Sequence, residues 1–264
     1  MRLENKKVLI TGGGAGIGRS IIEELIRQGV HHIAVVGRKK ASLEALKQDL
    51  SAEQVNILTI EADVSVMDDL NRIGETIITE WGNLDILINN AGVVSAGLLS
   101  DISDEDILAQ ININLTGLIL LTKKTLGLLQ TSKEAAIVNI SSGYGYIAMP
   151  FYSVYAATKA AVGQFSDAMR RELHQYPIHV MTVYPSATDT NMMKTAVVDK
   201  MDTPQEVALA TIAGLIQEDI NVIMGGEERK EQIKTNFLEP YKIDQYAAAN
   251  FEALRKRTKT HRAM

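Results

Sequence analysis

The sequence predicts a single-domain α/β fold, a doubly wound parallel sheet of about seven strands with helices on both faces. Two observations support this prediction. Short apolar runs alternate along the chain with longer segments of helical periodicity. The short runs are apolar at successive positions, which is typical of strands buried on both faces of a parallel sheet. Repeated alternation of such strands with helices indicates consecutive βαβ units.

Seven strands are predicted in order along the chain. They cover residues 7–11, 32–37, 55–63, 84–92, 135–142, 178–185 and 220–226. Helical periodicity fills the intervals at residues 18–29, 41–50 and 67–82, in a long region before the fifth strand, and at residues 155–173. No linker-like stretch, repeat or low-complexity segment interrupts this pattern. We therefore expect residues 1–264 to form one domain, with residues 227–264 as a C-terminal extension.

Composition excludes several classes of function. The chain has 264 residues, 46% of them hydrophobic, which is enough for a sizeable core, and its formal net charge is −5. A mildly acidic protein has no electrostatic basis for binding nucleic acid or an anionic membrane. The chain has no cysteines, which rules out disulfides and thiolate chemistry. The five histidines lack metal-ligand spacing, so we expect no metal site and histidines only on the surface or in loops. We find no secretory signal and no run long enough to cross a bilayer, which favours a cytoplasmic protein.

A glycine-rich turn, TGGGAGIG at residues 11–18, joins the first predicted strand to the first helix. Glycines permit a tight turn and let the backbone approach a phosphate, and the N-terminus of the following helix attracts an anion. After the first strand of a βαβ unit, such a turn predicts a dinucleotide site of the Rossmann type; a turn with a purely structural role is the alternative. The residues predicted to contact the dinucleotide here are Gly12, Gly14, Gly16, Ile17 and Gly18.

Further motifs follow this turn in a fixed order. NNAG ends the fourth strand, NINLTG contains Asn114, and IVNISS ends the fifth strand at Ser142. YSVYAATKAA then places Tyr155 and Lys159 four residues apart, on one face of a helix, and YPSATDT follows the sixth strand. Together with the TGxxxGxG spacing of the glycines, this order over about residues 6–226 resembles the classical branch of the short-chain dehydrogenase/reductase family.

The resemblance implies a catalytic set of Asn114, Ser142, Tyr155 and Lys159. The family's serine lies thirteen residues before its tyrosine, which selects Ser142 rather than Ser141. A tyrosine can donate a proton to the alkoxide that hydride transfer creates, but its ordinary pKa of about 10 is too high for it to act as a base near neutral pH. We expect the ammonium of Lys159 to lower that pKa and, by resemblance, to hold the nicotinamide ribose. Ser142 then stabilises charge on the carbonyl oxygen, and Asn114 anchors a water chain that returns the proton through Lys159.

The end of the second strand predicts which nicotinamide cofactor binds. An acidic residue at this position accepts hydrogen bonds from the ribose 2′-hydroxyl, but this chain has Gly37, followed by Arg38 and two lysines. The planar guanidinium of Arg38 suits a phosphate, so we expect NADP(H); a merely solvated charge run is the alternative. One departure is Gly14, which lies where many NADP-preferring relatives have a basic residue. By resemblance, the remaining cofactor contacts are Asp63, Val64, Asn90, Ala91, Gly92, Tyr155, Lys159, Pro185 and Thr190.

The loop between Ser142 and Tyr155 lines the substrate pocket in this family, and here it is apolar and aromatic. We therefore expect a ketone or aldehyde with apolar flanks, interconverted with its alcohol. The candidate pocket residues are Val93, Val94, Tyr144, Tyr146, Met149, Tyr152, Met192 and Met193. Three alternatives stay open: a cofactor-sensing binding protein on the same fold, an NAD-preferring alcohol dehydrogenase, and a non-redox enzyme of the extended branch, whose glycine spacing differs.

The helix at residues 155–173 has a second apolar stripe beside its catalytic face. Its members recur at helical spacing and are mostly small: Ala157, Ala161, Phe165 and Ala168. A helix that is apolar on more than one face is buried on more than one side. We therefore expect a homodimer or homotetramer with this helix at the contact, and packing of the stripe on the protein's own sheet is the alternative.

Two segments outside the motifs are expected to close the pocket. The segment that carries Met192 and Met193 and extends through Val197 is predicted to form a short apolar lid. Residues 236–251 are rich in aromatic side chains, so we expect them to fold over the pocket mouth of the same subunit or a neighbour, with a surface helix as the alternative. The basic run at residues 254–262 is expected to be a frayed, solvated terminus rather than an anion site.

Overall fold

Seven parallel strands form the central sheet of the computed structural model, which describes residues 1–51, 53–196 and 200–264. The strands are β1 (Lys7–Thr11), β2 (His32–Gly37), β3 (Asn56–Glu61), β4 (Ile86–Asn89), β6 (Ala135–Ile140), β7 (Ile178–Tyr184) and β8 (Asn221–Ile223), and a short strand, β5 (Val94–Ser95), lies outside this sheet. Their spatial order is β3-β2-β1-β4-β6-β7-β8, and every neighbouring pair is parallel. The direction of winding reverses between β1 and β4, so the doubly wound sheet predicted from the sequence is confirmed.

Helices cover both faces of the sheet. Within the described residues they are α1 (Gly16–Arg27), α2 (Lys40–Asp49), α3 (Met67–Trp81), α4 (Asp104–Ile111), α5 (Gly117–Gln130), α6 (Ser153–Glu172), α7 (Pro204–Gln217), α8 (Gly226–Leu238), α9 (Pro240–Ala249) and α10 (Phe251–Thr258). A π-helical turn, Asn112–Thr116, joins α4 to α5. None of these helices combines the length and the apolar character needed to cross a membrane.

Successive residues of each strand pack on opposite faces of the sheet, as the apolar runs predict. In β1, Val8 and Ile10 belong to the core cluster formed with α1, α2 and α7, whereas Leu9 belongs to the cluster formed with α3 and α5. All three side chains are fully buried. Burying an aliphatic side chain of this size contributes about 1.5–3 kcal/mol, so this two-sided core is the main source of stability.

The chain leaves the sheet earlier than the sequence predicts at most carboxyl ends. The third, fourth, fifth and seventh strands stop at Glu61, Asn89, Ile140 and Ile223. The residues that follow β4 and β6 have backbone and side-chain hydrogen bonds to neighbouring elements instead of a continued ladder, as described below. After β8, Gly225 and Gly226 have φ values of +96° and +65°, which turn the chain directly into α8.

The C-terminal extension folds back onto the body of the protein. Its three helices, α8 to α10, are followed by a two-residue strand, β9 (Arg262–Ala263). This strand pairs antiparallel with β5, with Val94 opposite Ala263. Sequence periodicity did not predict the β5–β9 pair, because two-residue strands are too short to show any pattern.

Gly117 allows the π-helical turn to pack against the end of β3. A Cβ at this buried glycine would lie 2.3 Å from the Val64 carbonyl oxygen, and this oxygen belongs to the backbone and cannot move aside. We expect Gly117→Ala to lower the free energy of unfolding by about 1–3 kcal/mol, as for other overpacked sites. Chemical denaturation followed by circular dichroism measures this.

Gly127 provides the matched control in the same helix. It is exposed, and no atom lies within 4 Å of the position of its Cβ. Gly127→Ala is expected to leave stability unchanged or raise it by about 0.5–1 kcal/mol, because alanine is the better helix former. Equal effects of the two substitutions would contradict the close approach at Gly117.

Candidate active site

The glycine-rich turn has the backbone geometry that a bound phosphate needs. Gly12 and Gly16 have φ values of +68° and +56°, which residues with a side chain rarely adopt. A Cβ on Gly18 would lie 2.4 Å from the Gly12 carbonyl oxygen, so this glycine permits close packing of α1 on the turn. Ala15, the N-cap of α1, supplies no side-chain cap, which leaves the helix's first N–H groups free to bind an anion.

The residues after β4 are bonded directly to this turn. The side-chain amide of Asn90 donates to the carbonyl oxygens of Thr11 and Gly12, at 3.0 and 3.1 Å. The Thr11 hydroxyl oxygen accepts from the backbone N–H groups of Asn90 and Ala91, at 3.1 and 3.0 Å. The NNAG motif therefore fixes the distance between two strand ends and holds the turn in place.

Asn114 lies in the π-helical turn and is almost completely buried. Its side-chain oxygen accepts from Val93 N at 2.8 Å, and its amide donates to Val93 O at 2.9 Å and to Thr158 Oγ1 at 3.2 Å. A Cβ on Gly92 would lie 3.3 Å from Asn114 Oδ1 and 3.5 Å from Lys159 Nζ, so both polar groups meet at this glycine. A π-bulge often marks a functional residue, and here it turns Asn114 toward Lys159.

The two serines after β6 have different surroundings. Ser141 is buried, and its hydroxyl donates to the Lys159 carbonyl at 2.7 Å, which ties β6 to α6. Ser142 is less buried, and it lines the cavity with Tyr155, as Ser141 also does. The Ser142 hydroxyl oxygen accepts from Tyr144 N at 3.2 Å. This arrangement supports Ser142 as the catalytic serine and gives Ser141 a structural role.

Tyr155 and Lys159 lie one helical turn apart at the start of α6, and both are buried. Lys159 Nζ donates to the Ile140 carbonyl at 2.9 Å and lies 5.8 Å from the centre of the Tyr155 ring. Burial raises the pKa of Tyr155 to about 12, although the neighbouring Ser142 opposes this shift. Burial also lowers the pKa of Lys159 to about 8. The net shift of the phenol pKa is therefore upward, whereas we expected Lys159 to lower it, because burial is the largest cause.

A cavity of about 650 Å³ joins these residues to the glycine-rich turn. Several of the predicted cofactor residues line it, namely Gly12, Gly16, Ile17, Asn90, Ala91, Gly92, Tyr155, Lys159, Pro185 and Thr190. Gly14, Gly18, Arg38, Asp63 and Val64 lie outside its wall. Arg38 follows β2 at the surface, with its guanidinium 3.9 Å from the Asp63 carboxylate. Arg38 and Asp63 follow the carboxyl ends of β2 and β3. The glycine-rich turn after β1 lies between these strand ends and Tyr155.

The substrate half of the cavity is aromatic. Tyr144 stacks on Tyr152 with ring centres 4.6 Å apart, and both rings lie edge-on to Tyr155 at 6.3 Å. The predicted pocket residues in the wall are Val94, Tyr144, Met149, Tyr152, Met192 and Met193.

The prediction that Tyr146 and Val93 line the pocket was wrong. Tyr146 lies outside the wall because its ring packs on Tyr184 at 4.1 Å. Val93 points into the core, and only its backbone serves the site. The predicted lid can be followed only in part, because Val197 lies outside the described residues.

The C-terminal extension completes the wall of the same subunit's cavity. Within residues 236–251, Ile243 and Tyr246 line the cavity, whereas Phe237 and Leu238 are exposed, so most of the aromatic character there does not face the pocket. Sequence reasoning missed the other residues that the extension contributes: Arg229, Gln232, Leu254, Arg257 and His261. Residues 227–258 contain no glycine and only one proline, which indicates helices, but nothing in the sequence shows which helix face meets the cavity.

The basic run at the C-terminus is not a frayed tail, so that prediction was wrong. Arg262 binds the Asp106 carboxylate through two hydrogen bonds of 2.7 and 2.9 Å, and it holds the pKa of that carboxyl below its ordinary value. His261 is buried rather than on the surface. Its Nε2 lies 3.0 Å from the Met192 carbonyl, which can only accept, so Nε2 donates and Nδ1 accepts from the Tyr152 hydroxyl at 2.7 Å. Burial lowers the pKa of His261, in keeping with this neutral ring.

No group of three or more potential metal ligands occurs among residues 1–51, 53–196 and 200–264.

A family model described as short chain dehydrogenase matches residues 6–200, a range that includes the glycine-rich turn and all four predicted catalytic residues. The chain belongs to the short-chain dehydrogenase family. The matched range ends before α7, so the part of the short-chain dehydrogenase that forms the C-terminal wall lies beyond it.

Relatives with known names and structures agree with this assignment. The chain is 31% identical to a sepiapterin reductase of Chlorobaculum tepidum over 226 residues, covering 82% of this chain and 92% of the relative. It is 29% identical to an NADP-dependent 3-hydroxy acid dehydrogenase of Schizosaccharomyces pombe, covering 72% and 74% of the two chains. A short-chain dehydrogenase from Sphingobium yanoikuyae in complex with NADPH matches 93% of this chain and 96% of its own length, with a TM-score of 0.78 and 28% identity.

Proposed function

We propose that this protein is an NADP(H)-dependent oxidoreductase that interconverts a ketone or aldehyde with its alcohol. The observation that carries the proposal is that Ser142, Tyr155 and Lys159 line one cavity with the glycine-rich turn, while Asn114 lies buried behind this wall and meets Lys159 at Gly92. The relatives named above include an NADP-dependent dehydrogenase and an NADPH complex, which supports the choice of cofactor.

The residues of the cavity suit this cofactor. The uncapped N-terminus of α1 offers N–H groups to a pyrophosphate, and Gly12 and Gly16 leave space where side chains would otherwise lie. A Cβ on Gly16 would lie 3.1 Å from Thr190 Cγ2, so the loop after β7 closes over the same region. When bound, the nicotinamide supplies or accepts the hydride; the protein's task is to position the substrate and move a proton.

Tyr155 serves as the proton donor in the reducing direction. At neutral pH its phenol is protonated, because burial raises its pKa to about 12, and the Lys159 ammonium is charged below its pKa of about 8. Ser142 lines the cavity with Tyr155, so that its hydroxyl can stabilise charge on the same carbonyl oxygen. Lys159 stabilises the phenolate that remains after proton transfer. Asn114 holds the backbone of Val93 in place beside Lys159. The aromatic and methionine walls favour a substrate with apolar flanks.

Replacement of Tyr155 tests the proposal. Tyr155→Phe removes the proton donor and keeps the ring, so kcat for carbonyl reduction is expected to fall about 10²–10⁴-fold, with NADPH affinity within about twofold of wild type. NADPH oxidation with a panel of ketones and aldehydes, together with NADPH fluorescence titration, measures both. Tyr176→Phe is the control, because Tyr176 is exposed and lies outside the cavity wall. Unchanged reduction by Tyr155→Phe would overturn the proposed role.

Arg38 gives the protein its preference for the cofactor that carries a 2′-phosphate. Its side chain is half exposed after the carboxyl end of β2, and this strand ends in Gly37 rather than in an acidic residue. A hydrogen bond to a charged group contributes about 1.5–3 kcal/mol, so Arg38→Leu is expected to raise the Kd of NADPH about tenfold to hundredfold and leave that of NADH within about twofold. Lys40→Leu, in the same basic run but paired with Glu44, is expected to preserve the ratio of the two affinities. Equal binding of NADPH and NADH by the wild type would refute the preference.

The protein assembles as a homodimer or homotetramer through α6. In the single chain, Ala157 and Ala168 are exposed and Ala161 and Phe165 are only partly buried, so this stripe does not pack on the protein's own sheet. Ala161→Glu places a charge in the middle of the stripe and is expected to shift the mass seen by light scattering toward the monomer. Ala45→Glu makes the same change at an exposed position of α2 and should leave the mass unaltered. A monomeric wild type at micromolar concentration would contradict this assembly.

A further inference from the structure

Two arginines of the C-terminal extension line the catalytic cavity. Arg229 lies in the first turn of α8, and Arg257 lies in the last turn of α10. Both side chains are partly buried, although most lysines and arginines of the chain lie at the surface. Two helices that are separate in sequence therefore bring two positive charges to one wall.

Neither guanidinium is neutralised by the described part of the chain. No carboxylate of residues 1–51, 53–196 or 200–264 lies within 4.0 Å of the guanidinium group of Arg229 or Arg257. Arg262, in contrast, forms a bidentate salt bridge with the Asp106 carboxylate. Arg257 Nε is buried and has no hydrogen-bond acceptor among those residues. A partly desolvated guanidinium without a partner is unfavourable, and an anion that reaches it recovers charge-assisted hydrogen bonds.

The two charges belong to the substrate half of the cavity. Arg229 and Arg257 line the cavity together with Tyr144 and Tyr152, and Arg257 lies four residues before His261, which is hydrogen-bonded to the Tyr152 hydroxyl at 2.7 Å. The Tyr144 ring in turn lies edge-on to Tyr155 at 6.3 Å. In agreement with this placement, the charges of both arginines oppose the rise in pKa that burial causes at Tyr144. The cofactor's phosphates are expected at the N-terminus of α1.

We propose that the cavity selects carbonyl substrates that carry a carboxylate, which Arg229 and Arg257 hold while the carbonyl faces Ser142 and Tyr155. This inference rests on the proposed function and deepens it by naming the substrate class. The planar fork of an arginine matches a carboxylate with two parallel hydrogen bonds. Ile147, Met149, Ile243 and Leu254 line the same cavity, so the carbon skeleton between the carbonyl and the carboxylate can pack against hydrophobic side chains. The substrate class is therefore an oxo acid and its product a hydroxy acid.

Pairs of substrates that differ only in charge test the inference. Aryl oxo acids with the carbonyl at position 2, 3 or 4 are compared with their methyl esters, with NADPH oxidation as the readout. For at least one spacing, the wild type is expected to favour the acid by tenfold or more in kcat/KM, mainly through KM. Arg257→Gln and Arg229→Gln are expected to lose about tenfold to hundredfold on that acid and to change the ester by no more than about twofold.

Two further variants control for folding and for charge. Arg255→Gln, on the same helix but exposed and outside this cavity, is expected to match the wild type with both substrates. Arg257→Lys keeps the positive charge without the planar fork and is expected to recover part of the acid preference, which a mere packing defect would not allow. Thermal unfolding of each variant shows whether it folds.

A binding measurement separates this inference from the proposed function. Calorimetric titration of the NADP⁺-bound protein with the matching hydroxy acid and its methyl ester reports on the carboxylate without turnover. Tighter binding of the acid, lost in Arg257→Gln, supports the inference even if no carbonyl compound is reduced, an outcome that would refute only the proposed function. Equal treatment of acids and esters by the wild type overturns the inference and leaves the proposed function standing. Weaker NADPH binding by the arginine variants also overturns it, because the two arginines would then belong to the cofactor site.

Discussion

The geometry of the active site depends on the way in which Lys159 joins α6 to the carboxyl end of β6. Its ammonium donates to the Ile140 carbonyl, and its own carbonyl accepts from the Ser141 hydroxyl. These two bonds are both buried and fix the start of α6 against the last residues of the strand. Tyr155, one turn earlier on the same helix, is thereby held beside Ser142. The lysine thus supports the site through its position as well as its charge.

The C-terminal extension performs the equivalent task for the substrate-facing wall. The Arg262–Asp106 pair and the β5–β9 ladder attach the end of the chain beside the cavity. His261 then bridges the Tyr152 hydroxyl and the Met192 carbonyl, which belong to the loops after β6 and β7. Three segments that are distant in sequence therefore share one rigid connection. The cofactor half of the site is built from strand ends and the starts of α1 and α6, whereas the substrate half also includes residues of the extension.

This division explains how much the sequence could predict. The strands, the glycine-rich turn and the order of the motifs follow from local patterns, because each motif is short and sits at a strand end. Ser142 was selected over Ser141 by spacing, and the geometry around Ser141 gives the physical reason, since its hydroxyl is used by Lys159. The wall formed by Arg257 and His261 could not be predicted, because a basic run has the same sequence pattern whether it is solvated or packed against a cavity. The sequence pattern also could not show that Tyr146 turns toward Tyr184 rather than toward the substrate.

The two buried ionisable groups of the site have pKa values shifted in opposite directions, and burial is the main cause of both shifts. With a pKa of about 12, the Tyr155 phenol keeps its proton at neutral pH, while Lys159, with a pKa of about 8, remains mostly charged. The oxidising direction would require a phenolate, and burial disfavours that charged form. In the reducing direction the same phenol starts in the form that the reaction needs. The phenolate then appears beside an ammonium inside a region of low polarity, where their attraction is stronger than in water. Burial therefore has two effects: it keeps the Tyr155 phenol protonated before the reaction, and it strengthens the attraction of the Lys159 ammonium for the phenolate after proton transfer.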